Sequence, residues 1–269
     1  MNGKDIAGIF ARVRANRPLV HHITNIVTIN DCANISISAG AAPVMTCDKA
    51  EAAEMVSAAN ALVLNIGTLT SFQVESMFEA GKRANELGIP VILDPVGAGA
   101  TELRTQTVME LLDKIDIAVI KGNAGEIGTI AGIEGGVRGV DSCGVLNDPE
   151  ETVSACAENL NTTVAMSGPV DIISDGRRVI LVENGVSMMG NLSGTGCMGA
   201  SLTGAFAAVE KDYVISSAAA FATFGRAGEL AAGKSKGPYS FRTALFDELF
   251  SLTKTDLAEH AKVRAKDAV

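Results

Sequence analysis

The sequence predicts an α/β protein with a mostly parallel central sheet and helices on both faces. Short apolar runs alternate with longer stretches of helical period, the pattern produced when helices connect parallel strands. Of the 269 residues, 47% are hydrophobic and 20% are charged, a composition typical of a globular protein. A chain of this length can share one hydrophobic core, so we predict a single domain over residues 1–269.

Six apolar runs are the candidate parallel strands, and a polar or glycine-containing segment follows each of them. They are residues 18–23, 42–45, 61–66, 90–94, 117–121 and 163–166. Two further apolar runs, 170–174 and 177–183, flank the pair Asp175-Gly176, which favours a two-residue hairpin turn. We therefore predict that one antiparallel ribbon interrupts the parallel pattern.

Three helices are marked by their ends, their apolar spacing or their lack of charge. Residues 70–88 begin with Thr-Ser capping candidates and end with a glycine just before a proline. Residues 184–209 contain no charged side chain, but they are too rich in Gly, Ser, Thr and Asn for a membrane span, so we predict a polar loop followed by a buried helix. A C-terminal helix packed against the body is indicated by apolar residues at helical spacing, namely Phe241, Leu245, Leu249 and Leu252.

Charge and cysteine usage exclude several kinds of partner and compartment. The net charge of −9 argues against sequence-independent binding of nucleic acid. Any phosphate-bearing ligand must therefore be bound locally by backbone amides, a few cations or a metal. The first residues lack the continuous apolar core of a signal peptide. The sequence has five cysteines without C-x-x-C spacing, which fits a reducing compartment: Cys32, Cys47, Cys143, Cys156 and Cys197. Taken together, these observations predict a cytoplasmic protein without nucleic-acid or membrane partners.

The segments that follow the strands are the candidate binding loops, because ligands of open α/β sheets bind beyond the carboxyl ends of the strands. One of them, "GAGATE", begins like a dinucleotide fingerprint, but Glu102 stands where the third glycine belongs. The sequence also lacks a G-x-S-x-G elbow and a Walker P-loop. The candidate loops are residues 24–25, 45–47, 65–68, 94–100, 121–126, 167–171 and 194–197.

Acidic residues in two of these loops allow two interpretations. In "KGNAGE", Asn123 and Glu126 lie three apart at an expected helix start, where they can hold hydrated magnesium or form a capping pair. Asp94, at the end of a very apolar strand, can likewise serve a metal or only the turn that follows.

The stretch "SGTGC" places glycine-rich backbone at the start of the buried helix. Gly194 and Gly196 flank Thr195, so consecutive N–H groups can face one anion, and the helix dipole favours negative charge there. The alternative is a tight turn that only lets a small-residue helix approach the sheet. For Cys197, the alternative to a functional role is that of a small buried hydrophobe.

The order of motifs along the chain is more specific than any one of them. "NIVTINDCAN", "GAAPVM", "NIGT", "DPVGAG", "KGNAGEI", "SGPVD" and "SGTGCMGAS" together resemble the hydroxyethylthiazole kinases of the ribokinase-like superfamily, over about residues 15 to 230. The resemblance implies a three-layer ribokinase-like fold and transfer of the ATP γ-phosphate to the primary alcohol of 4-methyl-5-(2-hydroxyethyl)thiazole, in thiamine biosynthesis and salvage. It further implies magnesium and a homotrimer whose active sites lie at subunit contacts.

The resemblance also implies roles for individual residues. Those assigned to the thiazole are Met45, Gly194 and Asn25. Those assigned to ATP are Lys121, Ser167, Asn123 and Gly168. Asp94 and Glu126 are assigned to magnesium, and Asp94 also counts as catalytic together with Gly194, Thr195, Gly196 and Cys197.

Three positions depart from what is common among these enzymes. Relatives often carry Arg at the position of Lys121 and Thr at that of Ser167, and lysine lacks the bidentate fork of arginine. Many ribokinase-like enzymes have an Asp base where this chain has Cys197. Because phosphoryl transfer passes through a loose transition state, we expect the glycine-rich turn to hold the phosphoryl oxygens while the thiol positions the alcohol.

Other ribokinase-like activities are the nearest alternatives. They include hydroxymethylpyrimidine or pyridoxal kinases and the nucleotide-repair dehydratases of the superfamily. A non-catalytic nucleotide-binding protein is an alternative of another class.

Overall fold

The computed structural model describes residues 1–132, 137–138, 141–142 and 148–267. Cys143 therefore lies outside the described residues. The strands are β1 (Leu19–Ile23), β2 (Ala42–Met45), β3 (Ala61–Asn65), β4 (Val91–Asp94), β5 (Val119–Asn123), β6 (Val137–Arg138), β7 (Asp141–Ser142), β8 (Thr163–Ser167), β9 (Asp171–Ser174), β10 (Arg178–Val182) and β11 (Val263–Asp267). The helices are α1 (Gly3–Asn16), α2 (Ile29–Ala39), α3 (Lys49–Ala58), α4 (Ser71–Leu87), α5 (Glu102–Lys114), α6 (Ala124–Ile130), α7 (Pro149–Leu160), α8 (Thr195–Ala207), α9 (Tyr213–Ala232), α10 (Pro238–Ser251) and α11 (Lys254–His260).

Nine of the strands in the described part of the chain form one sheet. Their order is β11-β10-β9-β8-β5-β4-β3-β1-β2. The strands from β2 to β8 in this order pair in parallel, which confirms the predicted parallel core. The predicted runs match the strands closely, except that β5 lies two residues further along the chain than residues 117–121.

The antiparallel part is larger than the single predicted ribbon. β9 and β10 pair around Gly176, whose φ of 84° suits the hairpin turn, so the ribbon is confirmed. However, β9 also pairs antiparallel with β8, and β11 adds an antiparallel edge strand. β11 was not predicted because "VRAKD" alternates charged with short apolar residues, a pattern typical of exposed edge strands rather than of buried ones.

Two hydrophobic layers cover the two faces of the sheet. Buried side chains of α1, α2 and α8–α11 form one layer with strand residues such as Val63 and Ile92. Those of α3–α7 form the other layer with the neighbouring strand residues, such as Leu62 and Leu93. Adjacent strand residues thus point to opposite layers, as alternation along a strand requires. The three-layer fold is confirmed.

The three predicted helices are confirmed, and their ends follow from their sequences. The Thr70 side chain accepts from the Gln73 N–H at the start of α4, and Gly88 ends that helix with φ of 65°. The four apolar residues at helical spacing are buried, three of them in α10 and Leu252 just after its end. α8 is buried over most of its length, and within the described residues no helix is long and apolar enough to cross a membrane.

α8 lies very close to the sheet at Gly204. A Cβ atom on Gly204 would lie 2.7 Å from Cγ2 of Val63 and 3.2 Å from Cγ1 of Val20. Two residues further along α8, Phe206 stacks on Phe10 of α1 with ring centroids 6.2 Å apart. The helix is therefore fixed between β1, β3 and α1, and its first residues lie at the carboxyl edge of the sheet.

We predict that Gly204→Val destabilises the protein, because the added side chain must displace α8 from β1 and β3. Overpacking of this kind costs about 1–3 kcal/mol, and a lower melting temperature would report it. Gly8→Val is the matched control, since nothing lies within 4 Å of a Cβ atom at Gly8 in α1. Equal melting temperatures for the two variants would contradict the close approach of α8.

Candidate active site at the start of α8

The turn before α8 presents backbone N–H groups to the carboxyl edge of the sheet. Gly194 has a φ of 94°, and a Cβ atom there would lie 2.6 Å from Cγ2 of Thr28, so only glycine fits. No acceptor among the described residues takes the N–H groups of Thr195, Gly196 and Cys197. Three free donors and the positive end of the helix dipole therefore favour an anion at this point.

A hydrogen-bond network joins three strand ends to Cys197. Asn25 Nδ2 donates to Asn65 Oδ1 (2.9 Å), and Asn65 Nδ2 donates to Asp94 Oδ2 (2.6 Å). Both amide Nδ2 atoms also lie 3.3 Å from the Cys197 sulfur. Asn25 itself is fixed because its Oδ1 accepts the N–H groups of residues 27 and 28. The four side chains form one connected group.

Asn65 is a central member of this network that sequence reasoning did not assign. The predicted loop "NIGT" contained it, but no motif marked it as functional. In the sheet, Asn65 of β3 pairs with Asp94 of β4, which places the amide beside the carboxylate. The signal that could have found it is a polar side chain ending an otherwise apolar strand next to another strand that ends in a carboxylate.

Burial keeps Cys197 protonated. It raises the pKa of the thiol to about 12, and the nearby Asp94 carboxylate raises it in the same direction. Hydrogen bonds with Thr28 and Asn65 lower the pKa but do not reverse this. Cys197 is therefore a thiol at neutral pH, not a thiolate.

Asp94 and Glu126 are both buried carboxyl groups with raised pKa values. Burial raises the pKa of Asp94 to about 7; Lys121 lowers it and Glu126 raises it. Burial also raises the pKa of Glu126, against the backbone N–H groups of Asn123 (2.8 Å) and Gly97 (2.9 Å), which donate to its two oxygens. Uncompensated negative charge at this place is costly, so a cation is favoured.

The capping interpretation of "KGNAGE" is confirmed. Asn123 is the N-cap of α6, its side chain accepts the N–H group of Glu126, and the Glu126 side chain accepts the N–H group of Asn123. Each Glu126 oxygen has a second lone pair, so the cap leaves it able to accept further donors or to face a cation.

A cavity of about 510 Å³ lies beside the start of α8. Lys121 lines it, only 4% exposed, and its ammonium group makes no hydrogen bond or ion pair with any other described residue. A Cβ atom on Gly196 would lie 3.3 Å from Lys121 Nζ, so the ammonium group faces the first turn of α8. The other lining residues are Ser167, Gly168, Pro169, Asp171, Asn184, Gly185, Val186, Ser187, Met189, Gly190, Thr195, Gly196, Gly199, Phe221, Phe224 and Gly225.

The cavity brings together most of the residues assigned to ATP from the sequence. Of these, Lys121, Ser167 and Gly168 line it, whereas Asn123 does not. Asp171, which sequence reasoning placed in a loop without assigning it, also lines the cavity. Burial raises the pKa of Asp171 to about 7, and its Oδ1 accepts the Gly168 N–H (3.0 Å).

The residues assigned to the thiazole separate into two places. Asn25 and Gly194 meet through Thr28, whose methyl group abuts Gly194 and whose hydroxyl donates to Asn25 (3.1 Å). Met45 ends the edge strand β2, two strands from Asn65 in the sheet order, and does not line the cavity.

The carboxylates fit magnesium only as part of a larger ligand set. Among the described residues, no group of three or more His, Cys, Asp or Glu side chains is placed to hold a metal. Magnesium is usually held by one or two carboxylates, with phosphate and water oxygens completing the octahedron. Asp94 and Glu126, buried near each other and near Lys121, have the chemistry for that arrangement.

The fold is of the ribokinase-like class. A ribokinase-like superfamily protein from Enterococcus faecalis V583 superposes with a TM-score of 0.64 at 12% identity, covering 90% of this chain and 89% of that one. The cavity beside a glycine-rich helix start is therefore set in a ribokinase-like fold.

Within that class, the model of the hydroxyethylthiazole kinase family matches residues 10–255, and the chain belongs to this family. It is 62% identical to the hydroxyethylthiazole kinase of Methanoculleus marisnigri over 266 residues, 99% of this chain and 95% of the relative. The structure of the hydroxyethylthiazole kinase protein from Pyrococcus horikoshii OT3 superposes with a TM-score of 0.88 at 42% identity, covering 97% of this chain and 98% of that one.

We predict that Asp94→Asn stabilises the ligand-free protein, and more so at pH 8 than at pH 5. The pKa of Asp94 is about 4 in the unfolded chain and about 7 in the folded protein. At pH values between these two, the folded state binds the Asp94 proton more tightly, so the free energy of unfolding of the wild type falls as pH rises. The variant lacks this loss, and its asparagine oxygen can still accept from Asn65. Thermal melting without ligands should show a gain of several degrees at pH 8.

The control for this prediction is Asp175→Asn, for which the opposite sign is expected. Burial raises the pKa of Asp175, but hydrogen bonds from Arg178 outweigh this and hold it below its usual range. Its removal should therefore lower the melting temperature at pH 8. A loss of stability in Asp94→Asn at pH 8 would contradict the buried, destabilising charge.

Proposed function

We propose that the protein transfers the γ-phosphate of ATP to the primary alcohol of 4-methyl-5-(2-hydroxyethyl)thiazole. The observation that carries this proposal is the position of the Cys197 turn. On one side it borders the cavity that Lys121 lines, and on the other it touches the network of Asn25, Asn65 and Asp94. Phosphate donor and alcohol can thus meet at a single helix start, in a chain that belongs to the hydroxyethylthiazole kinase family.

Lys121 and the turn hold the transferred phosphoryl group. The ammonium group of Lys121 faces Gly196, where the free N–H groups of Thr195, Gly196 and Cys197 can donate to phosphoryl oxygens. In a loose transition state the negative charge spreads over these oxygens, so fixed donors and one cation supply most of the stabilisation. Ser167 and Gly168, at the end of the neighbouring strand β8, also line the cavity and contact the nucleotide.

The alcohol lies against Cys197, between Asn25 and Gly194. A thiol whose pKa is raised to about 12 does not remove the proton of the alcohol at neutral pH. It instead hydrogen-bonds to the hydroxyl group and orients its oxygen toward the phosphorus atom. Because the nucleophile is little deprotonated in a loose transition state, its proton can leave late, to an oxygen of the transferred phosphoryl group.

Asp94 and Glu126 hold magnesium together with the phosphate oxygens. When bound, the ion neutralises phosphate charge. Its own charge also lowers the pKa of both carboxyl groups and keeps them ionised. Asp94 stays oriented through Asn65, and Glu126 through the N–H groups of Gly97 and Asn123. Asparagine at 94 should therefore abolish most turnover.

A homotrimer with active sites at subunit contacts accords with the surface beside Asn25. The next two residues, Ile26 and Val27, are 77% and 69% exposed, and Ile37 of α2 is also exposed. An apolar surface this close to the alcohol site is suited to cover by a neighbouring subunit. Met45 of the edge strand β2 would then contact the thiazole in the assembled protein.

The decisive assay measures ADP release with the thiazole alcohol as acceptor, with and without magnesium. We expect release that requires both. A panel with hydroxymethylpyrimidine and pyridoxal tests the neighbouring kinase activities. ATP consumption that does not depend on the thiazole alcohol, or that prefers another alcohol, would contradict the proposed substrate.

We predict a graded series at Cys197. General acid–base catalysis is worth ~10²–10⁴-fold, and Cys197→Ala and Cys197→Ser should lose less than that range because the thiol positions rather than deprotonates. Cys197→Asp should be at least as active as the wild type, because the amides of Asn25 and Asn65 already point at this position and can donate to a carboxylate.

The measurement for this series is kcat at saturating ATP and thiazole alcohol, with melting curves to establish folding. A folded alanine variant that binds both ligands but does not turn over would show that the thiol performs essential chemistry.

A further inference from the structure

One wall of the cavity is a chain segment that lies outside the α-helices and the sheet. Residues 184–190, between β10 and α8, contribute six of the lining residues. Part of this segment forms a short 3₁₀ helix over Ser187–Asn191. Segments of this kind need side-chain contacts to hold one conformation, since few backbone hydrogen bonds fix them.

Glu229 of α9 supplies such contacts at the start of the segment. Its Oε1 accepts from Asn184 Nδ2 (3.2 Å), the Gly185 N–H group (3.2 Å) and Lys262 Nζ (2.9 Å). Its Oε2 accepts from Arg226 Nη1 (3.2 Å). One carboxylate therefore bridges the cavity wall, α9 and the start of β11.

Asn184 is held from a second side as well. Its Nδ2 also donates to the carbonyl oxygen of His260 (3.0 Å), and its Oδ1 accepts the Lys262 N–H group (2.7 Å). These bonds tie the side chain to the end of α11 and the residues after it. Asn184 is buried, so its bonds are not exposed to bulk water.

The segment also fits against α9 sterically. A Cβ atom on Gly225 would lie 2.3 Å from the carbonyl oxygen of Asn184, and one on Gly228 would lie 2.8 Å from the Met189 sulfur. Gly225, Gly228 and Glu229 lie on one face of α9, because residues three and four apart are neighbours on a helix. The glycines admit the segment to this face, and Glu229 bonds to its first residues.

The charge on Glu229 is stable. Burial raises the pKa of its carboxyl group, but hydrogen bonds from Lys262, Gly185, Arg226 and Asn184 outweigh this and hold the pKa below its usual range. The group remains an ionised acceptor at neutral pH. Hydrogen bonds to charged groups are stronger than those between neutral groups.

We propose that Glu229 is a positioning residue for the nucleotide: it does not line the cavity, but it fixes the 184–190 wall against which the nucleotide binds. The inference rests on the proposed function, because it takes the occupant of the cavity to be ATP. The cavity lining includes apolar groups of Val186 and Phe224, which suit an adenine ring. The wall also touches the Cys197 turn, because the Thr195 hydroxyl donates to the Met189 carbonyl oxygen (3.1 Å). Asn25 and Asn65 hold Cys197 independently of the wall, so a displaced wall would weaken ATP binding more than alcohol binding.

The test compares Glu229→Ala, Glu229→Gln and the wild type. Calorimetry measures the Kd of ATP, and steady-state kinetics measures kcat and the KM of each substrate. We expect Glu229→Ala to raise the Kd and KM of ATP on the order of tenfold, equivalent to about 1.4 kcal/mol, with kcat and the KM of the alcohol within about twofold. Glu229→Gln should lose less, because its amide oxygen can still accept from Asn184 and Gly185.

Glu248→Ala is the matched control. Glu248 of α10 is buried and, like Glu229, pairs with a lysine, Lys234 (2.6 Å), but that lysine is not at the cavity. We expect it to lower the melting temperature while leaving the Kd of ATP unchanged. Hydrogen exchange should increase within 184–190 in Glu229→Ala and not in the control.

Three results would overturn the positioning role: an unchanged Kd of ATP in Glu229→Ala, equal weakening in the Glu248 control, or an equal rise in the KM of the alcohol. If Glu229→Ala does not fold, the test uses the ratio of the Kd of ATP in Glu229→Gln to that in the wild type. A wild type that binds ATP but does not phosphorylate the alcohol would contradict only the proposed function. A wild type that binds no ATP would overturn both.

Discussion

The close approach of α8 to the sheet at Gly204 is the contact on which the site depends. A helix that begins at the carboxyl edge can bring free N–H groups to the polar strand ends only if nothing holds it away from the strands. The absent side chain at Gly204 leaves that space beside Val63, and Gly194 leaves a second space beside Thr28. The first turn of α8 therefore lies where Asn25, Asn65 and Lys121 converge.

Local charge balance, rather than the net charge of −9, determines what the site can hold. Asp94, Glu126 and Asp171 are carboxyl groups whose pKa values burial raises, and Lys121 is the neighbour that lowers all three. The three carboxylates outnumber Lys121 and Arg104, which lies near Glu126, so this cluster alone would repel a polyphosphate. Free backbone N–H groups and a bound magnesium ion would reverse that balance, which is why the site suits phosphate and metal together rather than either one alone.

The sequence was sufficient for the parallel core because apolar runs and capping residues act locally. The run 61–66 became β3, and Thr70 capped α4, since each signal is contained in a few neighbouring residues. Asn65 could not be assigned in the same way. Its role follows from the register that sets it opposite Asp94, and that register is a property of the assembled sheet.

Asn123 and Glu126 illustrate a different limit. Their spacing fits both a cap and a cation site, and the structure confirms the cap without removing the lone pairs that a cation would use. The roles that the family resemblance implied for single residues stay predictions for the same reason: position in a fold restricts the chemistry of a side chain but does not select one reaction. Asp171 was not assigned because only the cavity, not the motif, places it beside Lys121.

A thiol at the start of α8 has a consequence for this charge balance. A carboxylate at position 197 would add negative charge beside Asp94, where burial already disfavours ionisation. A protonated thiol adds none, so the ligand-free protein avoids one buried repulsion. Under the proposed function, the loose transition state demands little from a base, so Cys197 would serve for positioning while Lys121, the α8 backbone and magnesium would neutralise charge.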